Sequence, residues 1–158
     1  MEGKSNGLKK YFPELSELLV DFFNIFHAWE EEAVSNLNTK LSILEVHTIE
    51  ALGRRPPLKM RKLAEIMEIS TPSVTAVVDK LEKKGFARRK TTSKDRRVFL
   101  IELTQKGLEL FEKHQEQHRK MADRVLACIP EDKGPVFVET LRSIIHNSSV
   151  DRPDDHQV

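Results

Sequence analysis

The residues with the clearest metal-binding chemistry are two histidines, His114 and His118, in a chain of 158 residues. They stand four residues apart on the apolar stripe of a predicted helix, so both side chains lie on one helix face. Two imidazoles at this spacing can bind one metal ion, and His47 and the glutamates 30–32 offer further ligands earlier in the chain. The pattern is also typical of hydrogen-bonded interior histidines, so the residues alone leave metal binding and packing as open alternatives.

The second chemical feature is a concentration of positive charge in residues 54–106. This segment holds 15 Lys and Arg against 6 Asp and Glu, a net charge of +9, whereas the remainder carries −8 and the whole sequence +1. Charge concentrated in this way favours contact with nucleic-acid phosphates, beginning at Arg54 and Arg55. The alternative is a lysine-rich surface that faces only water.

Apolar residues inside the basic segment predict two short helices, about 60–67 and 72–84, joined by a tight turn. Two amphipathic helices joined so closely form a helix-turn-helix, although paired helices are also common in all-α proteins. The second helix begins with small and hydroxyl side chains, which allow a helix to enter the major groove and reach base edges. We expect DNA contacts from Thr71, Pro72, Ser73, Thr75, Ala76, Lys80 and Lys83.

Two strand-like runs follow, residues 86–90 and 98–103, separated by the polar turn 91–97. An arginine at the tip of such a hairpin can enter a narrow minor groove, where the negative potential is strongest. Asp95 is placed to orient Arg97 through a charge-assisted hydrogen bond. The hairpin therefore predicts a DNA-binding wing rather than an ordinary solvated turn, with contacts from Arg88, Arg89, Lys94, Asp95, Arg96 and Arg97.

The elements that must position these residues are mostly helices. Besides the short pair, the apolar spacing predicts helices at about 13–36, 42–53, 104–128 and 131–146. The predicted fold class is therefore mainly α with a small β-wing.

Several classes of protein are disfavoured by composition. The single cysteine, Cys128, excludes an internal disulfide, and residues 1–10 lack an apolar signal region. Apolar runs are far shorter than the roughly 20 residues that a membrane helix needs, so we expect a cytoplasmic protein without membrane contact. No His-Glu-x-x-His pair, glycine-rich phosphate loop or nucleophile motif is present in the sequence, so we expect no enzymatic activity.

The sequence resembles the multiple-antibiotic-resistance regulator (MarR) family over about residues 12–146. The matching residues are Leu63-Ala64, Ile69-Ser70, Val74-Thr75, Val77, Leu81-Glu82, Gly85-Phe86, Arg88, Asp95-Arg96-Arg97-Val98 and Leu103-Thr104. The resemblance implies a winged helix-turn-helix homodimer that binds a pseudo-palindromic DNA operator. Recognition helices would enter major grooves, Arg97 the flanking minor groove, and the first and last helices would form the dimer interface.

Two subgroups of the family imply different effectors. Glu30, His47, His114 and His118 are similar to the primary metal site of zinc-responsive members, and one carboxylate with three imidazoles suits tetrahedral Zn²⁺. Ser35 stands about where those sensors have a cysteine, so a second metal site is not implied. Residues 45–53 with the same histidine pair are also similar to the family's fatty-acid-biosynthesis repressors, which respond to an acylated carrier protein. Both effectors stay open.

The resemblance also divides the chain into functional segments. These are a flexible N-terminus (1–10), N-terminal helices for dimerisation and support (11–53), a winged helix-turn-helix DNA-binding region (54–106), C-terminal dimerisation helices (107–146) and a disordered tail (147–158). The sequence thus predicts an effector-modulated transcriptional repressor that needs no cofactor. The alternative is a helical metal-binding or protein-interaction module without specific DNA binding, which would have no need of an arginine wing.

Overall fold

The structure, a computed structural model, describes residues 7–55, 57–91 and 99–148. The helices and strands in chain order are α1 (Phe12–Asn36), α2 (Ile43–Arg54), β1 (Leu58–Lys59), α3 (Met60–Met67), α4 (Thr71–Lys83), β2 (Ala87–Thr91), β3 (Phe99–Leu103), α5 (Gln105–Leu126) and α6 (Gly134–Ser148). Short 3-10 turns, Lys9–Tyr11 and Glu131–Lys133, precede α1 and α6. The predicted fold class, mainly α with a small β-wing in a winged helix-turn-helix, is confirmed.

Local sequence sets where α1 and α2 begin. Pro13 lies in the first turn of α1, where its missing N–H removes no helical hydrogen bond. A capping box opens α2: Ser42 Oγ accepts from the Glu45 N–H at 3.3 Å, and Glu45 Oε2 accepts from the Ser42 N–H at 2.7 Å. Glu45 is buried, and Lys84 Nζ donates to its other oxygen at 2.7 Å. The start of α2 is thereby tied to the residue that follows α4.

The helix-turn-helix is built from α3 and α4. Glu68, with φ 54°, ends α3 in the left-handed conformation, and the Ile69 N–H then donates to the Ala64 carbonyl. Ser70 caps α4 by accepting the Ser73 N–H at 3.2 Å. The facing sides are apolar and buried, and they contribute Leu63, Ala64, Val74, Val77, Val78 and Leu81 to the core. This packing holds the outer face of α4 toward solvent.

The sheet has three antiparallel strands in the order β1-β3-β2. The hairpin that the sequence predicted is present: β2 and β3 pair from Ala87–Leu103 to Thr91–Phe99, so Thr91, predicted in the turn, belongs to the strand. The third strand, β1, pairs Leu58 with Ile101 and was not predicted. Two residues are too short to show a period-2 pattern, so only their position beside β3 reveals them as a strand.

The described chain divides into two compact units, residues up to His118 and residues from Arg119 onward. In the first unit, buried apolar side chains of α2, α3, α4, the sheet and the start of α5 form one core. The second unit contains α6 and the C-terminal end of α5. Helix α6 begins later than predicted, because Glu131–Lys133 form a 3-10 turn. It also includes Asn147 and Ser148, which were predicted to belong to the disordered tail.

Large apolar side chains stay exposed on α1 and, separately, on α6. On α1 they are Phe12, Leu15, Leu18, Leu19, Val20, Phe22, Phe23, Ile25 and Phe26; on α6 they are Val136, Phe137, Val138, Leu141, Ile144 and Ile145. Despite this apolar content, no helix in residues 7–55, 57–91 and 99–148 has the length and hydropathy of a membrane span.

Candidate functional site

Three helices of the first unit bring the predicted metal residues together. Glu30 comes from α1, His47 from α2, and His114 and His118 from α5. The Nε2 atoms of all three imidazoles face the Glu30 carboxylate: His47 at 2.9 Å, His114 at 3.3 Å and His118 at 3.5 Å. Residues that are far apart in the sequence therefore lie together. We call these four residues and Glu50 of α2 the histidine cluster.

The donor set fits a metal such as zinc. Glu30, His114 and His118 each offer a ligand atom, and these three atoms lie within 4.8 Å of one another. His47 lies outside that group of three, but its Nε2 contacts the same carboxylate and is the fourth candidate ligand. One carboxylate oxygen and imidazole nitrogens are ligands that Zn²⁺ takes in tetrahedral sites. Among the described residues, His114 Nδ1 is buried without a hydrogen-bond partner, so this ring is not fully satisfied by the protein alone.

Glu50 belongs to the cluster, although the sequence did not mark it. Its oxygens lie 3.4 Å from His114 Nδ1 and 3.5 Å from His118 Nδ1. Glu50 also accepts from Arg54 Nη2 at 2.5 Å. The available signal was the i, i+3 spacing from His47 on α2, which places both side chains on one helix face.

The cluster changes the ionisation of its members. Burial lowers the pKa of His114, but the hydrogen bond with Glu30 and the close carboxylates of Glu30 and Glu50 outweigh it and raise the pKa to about 9. Burial raises the pKa of Glu50, whereas the close His114 imidazole and the positive charges nearby lower it to about 2. Hydrogen bonds from the imidazoles, that of His114 foremost, hold the pKa of Glu30 well below its usual range. Without metal, His114 is thus a cation between two carboxylates at neutral pH.

The outer face of α4 presents the residues predicted to read DNA. Thr71, Pro72, Ser73, Ala76, Lys80 and Lys83 are exposed. Thr75 is half-buried, and its hydroxyl donates to the Thr71 carbonyl at 2.7 Å. The exposed side chains at the N-terminal end are small, so other molecules can approach the backbone of that turn closely.

Two arginines predicted as DNA contacts are paired within the chain. Arg88 Nε donates to Glu102 Oε1 at 2.7 Å across the hairpin. Arg89 Nη2 donates to Asp79 Oδ1 at 2.6 Å, and its Nη1 and backbone N–H donate to Glu82. Arg89 therefore connects β2 to α4 through these hydrogen bonds. Their contact with DNA phosphates stays a prediction.

The wing tip lies outside the described residues. Lys94, Asp95, Arg96 and Arg97 all fall within residues 92–98, and so does the predicted pairing of Asp95 with Arg97. The flanking residues Thr91 and Phe99 are partners in the β2–β3 ladder. Residues 1–6 of the predicted flexible N-terminus and 149–158 of the predicted tail lie outside the described residues as well.

Comparison with known proteins places these elements in a family. A sequence profile of the MarR family matches residues 41–99. The HTH-type transcriptional regulator YkoM of Bacillus subtilis, itself uncharacterised, is 30% identical over 104 residues, which cover 65% of this chain and 68% of YkoM. The HTH-type transcriptional repressor MdtR of the same organism is 25% identical over 75% of this chain and 77% of MdtR. The chain spans 53% and 61% of the length of two further curated relatives.

A solved structure extends the likeness to most of the chain. The crystal structure of Streptococcus pneumoniae FabT in complex with DNA has a TM-score of 0.76 and 25% identity, and it covers 87% of this chain and 97% of FabT. YkoM and MdtR are both named as regulators of transcription, in line with the expectation that the chain is not an enzyme. On the profile match and the 30% identity over two thirds of YkoM, the chain belongs to the MarR family.

Proposed function

We propose that the chain is a sequence-specific DNA-binding transcriptional regulator that represses by occupying a pseudo-palindromic operator. The observation that carries the proposal is the small, exposed N-terminal turn of α4, held outward by the α3–α4 core and followed by a basic hairpin. MarR family membership and the likeness to a FabT–DNA complex support it. The similar regulators YkoM and MdtR come from a bacterium, where the chromosome lies in the cytoplasm, and we propose the same place of action for this chain.

In this mechanism α4 reads bases and the surrounding cations bind phosphates. Ser73 and Ala76 are exposed on α4 and would meet base edges in the major groove. Lys80 and Lys83 at its C-terminal half supply salt-dependent affinity, because each phosphate neutralised releases counterions. Arg97 would enter the adjacent minor groove.

The proposal is tested by selecting bound duplexes from a random DNA pool with the purified full chain. We expect enrichment of a sequence with two half-sites about one helical turn apart. The Ser73→Asp variant is expected to lose the enrichment, because it brings a negative charge to the DNA-facing turn. A matched Ser35→Asp variant, at an exposed position on α1, should keep it. Wild-type binding without any sequence enrichment would reject the proposal in favour of a helical module without specific DNA binding.

We also propose that the chain acts as a homodimer through α1 and α6. Each helix exposes a row of large apolar side chains, and apolar side chains exposed together in this way mark an interaction surface. Sedimentation velocity tests this with Leu18→Glu, which places a charge on the apolar face of α1 and should give a monomer. Glu17→Lys in the same turn, on the polar face, should leave the dimer intact. A dimeric Leu18→Glu variant would disprove this use of α1.

The effector that we propose is Zn²⁺, held by Glu30, His114 and His118 with His47 as fourth ligand. Support comes from the Glu30 carboxylate that all three imidazoles share and from the closeness of the donor atoms of Glu30, His114 and His118. In the metal-bound protein these ligands would fix the mutual placement of α1, α2 and α5. That placement would set the orientation of α4 and the hairpin, the proposed DNA-binding elements.

Operator binding measured with added Zn²⁺ and with chelator separates the two expected effectors. A zinc-responsive regulator changes its operator affinity between the two conditions. A regulator that responds only to an acylated carrier protein binds equally in both conditions and changes its operator affinity when the carrier protein is added. Elemental analysis of the purified chain shows whether metal is bound at all.

A further inference from the structure

We infer that Glu50 is a positioning residue of the metal site, where its carboxylate accepts the Nδ1–H groups of His114 and His118 and so directs both Nε2 atoms toward Glu30. This inference rests on the zinc site proposed above. It adds an outer carboxylate that neither the sequence nor the family comparison marked.

The two rings are sandwiched between the two carboxylates. His114 has Nε2 3.3 Å from Glu30 Oε1 and Nδ1 3.4 Å from Glu50 Oε2. His118 has Nε2 3.5 Å from Glu30 Oε2 and Nδ1 3.5 Å from Glu50 Oε1. Each oxygen of Glu50 therefore faces a different imidazole, on the side away from Glu30.

This arrangement meets a general requirement of histidine ligands. An imidazole that binds a metal through one nitrogen carries a proton on the other, and an acceptor for that proton fixes the tautomer and the ring orientation. His114 Nδ1 is buried and lacks a hydrogen bond among the described residues, and Glu50 Oε2 is the carboxylate oxygen that it faces. A small movement of the ring would turn this 3.4 Å contact into a charge-assisted hydrogen bond.

Glu50 is itself held in place from two directions. Arg54 Nη2 donates to its Oε1 at 2.5 Å, and Gln115 Nε2 lies 3.4 Å from the same oxygen. One turn along α2, a Cβ at Gly53 would lie 2.4 Å from the Phe111 ring. The absence of a side chain at Gly53 thus lets α2 approach α5 closely, and this approach brings Glu50 within reach of both rings.

The position of Glu50 also separates it from the ligands. The ligand atoms of Glu30, His114 and His118 lie together, and Glu50 faces the opposite nitrogens of the same rings. Its two oxygens lie 3.4 Å from His114 Nδ1 and 3.5 Å from His118 Nδ1, so each oxygen is placed to accept from one ring. A carboxylate at this position raises the basicity of the ligating nitrogens without taking a coordination position.

The test uses the full chain and measures Zn²⁺ affinity by competition with a chromophoric chelator, together with the visible absorption of bound Co²⁺. For Glu50→Gln, which keeps an acceptor but loses the charge, we expect about tenfold weaker Zn²⁺ binding, and for Glu50→Ala up to about 100-fold. The stoichiometry of one ion should persist, and the Co²⁺ absorption bands should shift. Glu109→Gln, at an exposed carboxylate on α5, should match wild type.

The outcomes separate this inference from the zinc proposal. Wild type that binds no stoichiometric metal rejects both. Wild type that binds Zn²⁺ while Glu50→Gln and Glu50→Ala bind equally tightly rejects the role of Glu50 alone. If the neutral variants do not fold, Glu50→Asp replaces them, because it keeps the charge but moves the carboxylate away from the rings. Weaker Zn²⁺ binding with a shifted Co²⁺ spectrum supports the inference. Zn²⁺ affinity and a Co²⁺ spectrum equal to those of wild type overturn it.

Discussion

The histidine cluster and the surface of α4 and the hairpin that is predicted to contact DNA both pair cations with carboxylates, but they differ in exposure to water. His114 is 1% exposed between Glu30 and Glu50, whereas the Arg88 side chain is 64% exposed beside Glu102. Buried charges interact strongly and depend on one another, while exposed pairs are screened and weak. The buried cluster should therefore contribute more to stability than the surface pairs, whose cations can exchange partners at little cost, as the proposed contact with phosphates requires.

The largest effect should come from breaking the cluster. His114→Ala in chelator leaves two carboxylates without their shared cation, so we expect the free energy of unfolding to fall by about 3–5 kcal/mol. Urea denaturation measures this. His27→Ala is the control, because its ring is 69% exposed and its contact with Glu31 is a surface pair, and it should stay within about 0.5 kcal/mol of wild type. Equal urea midpoints for His114→Ala and His27→Ala would show that the buried cluster contributes no more to stability than an exposed pair.

The next effect is a pH dependence of the metal-free protein. The folded-state pKa of His114 is raised from 6.5 to about 9 by Glu30 and Glu50, so protonation stabilises the fold. This stabilisation is fully present below pH 6.5 and is lost as the pH rises to about 9, by at most about 3 kcal/mol. Urea denaturation at several pH values in chelator should show the decline, and His114→Ala should flatten it. A free energy of unfolding that rises between pH 6.5 and pH 9 would contradict the expected direction.

A smaller effect is expected from the wing. Arg97→Ala should weaken operator binding tenfold or more, about 1.4 kcal/mol, because it removes a groove contact, and it should leave stability unchanged. Fluorescence anisotropy with a labelled operator measures the affinity. Arg142→Ala, on α6, is the charge-matched control. Unchanged affinity would remove the wing from the DNA-binding surface.

The smallest effect should come from one phosphate contact. Lys80→Ala should weaken binding several-fold on any sequence and reduce the slope of log affinity against log salt by about 1. Lys133→Ala, in the 3-10 turn before α6, should change neither quantity. An unchanged salt slope for Lys80→Ala would show that this end of α4 lies away from the phosphates.

Sequence reasoning predicted what depends on local periodicity. Residues Met60–Met67 were assigned as a helix with the bounds that α3 has, because a strong apolar pattern lies between two clear breaks. The histidine pair was found for the same reason. Strand β1 and Glu50 were missed, because their significance comes from neighbours distant in the chain, Ile101 for Leu58 and the α5 imidazoles for Glu50. The pairing of Arg89 with Asp79 and Glu82 likewise depends on tertiary approach.

The close approach of helix α5 to the hairpin limits how this protein can be engineered. Thr104 opens α5 by accepting the Gly107 N–H at 3.2 Å, and a Cβ at Gly107 would lie 2.1 Å from the Phe86 carbonyl oxygen. Replacing a helical glycine by alanine is a common route to thermostability, because alanine favours the helix. At position 107 the added methyl group would meet backbone and push α5 away from the hairpin. A library built to stabilise the protein should therefore retain glycine there.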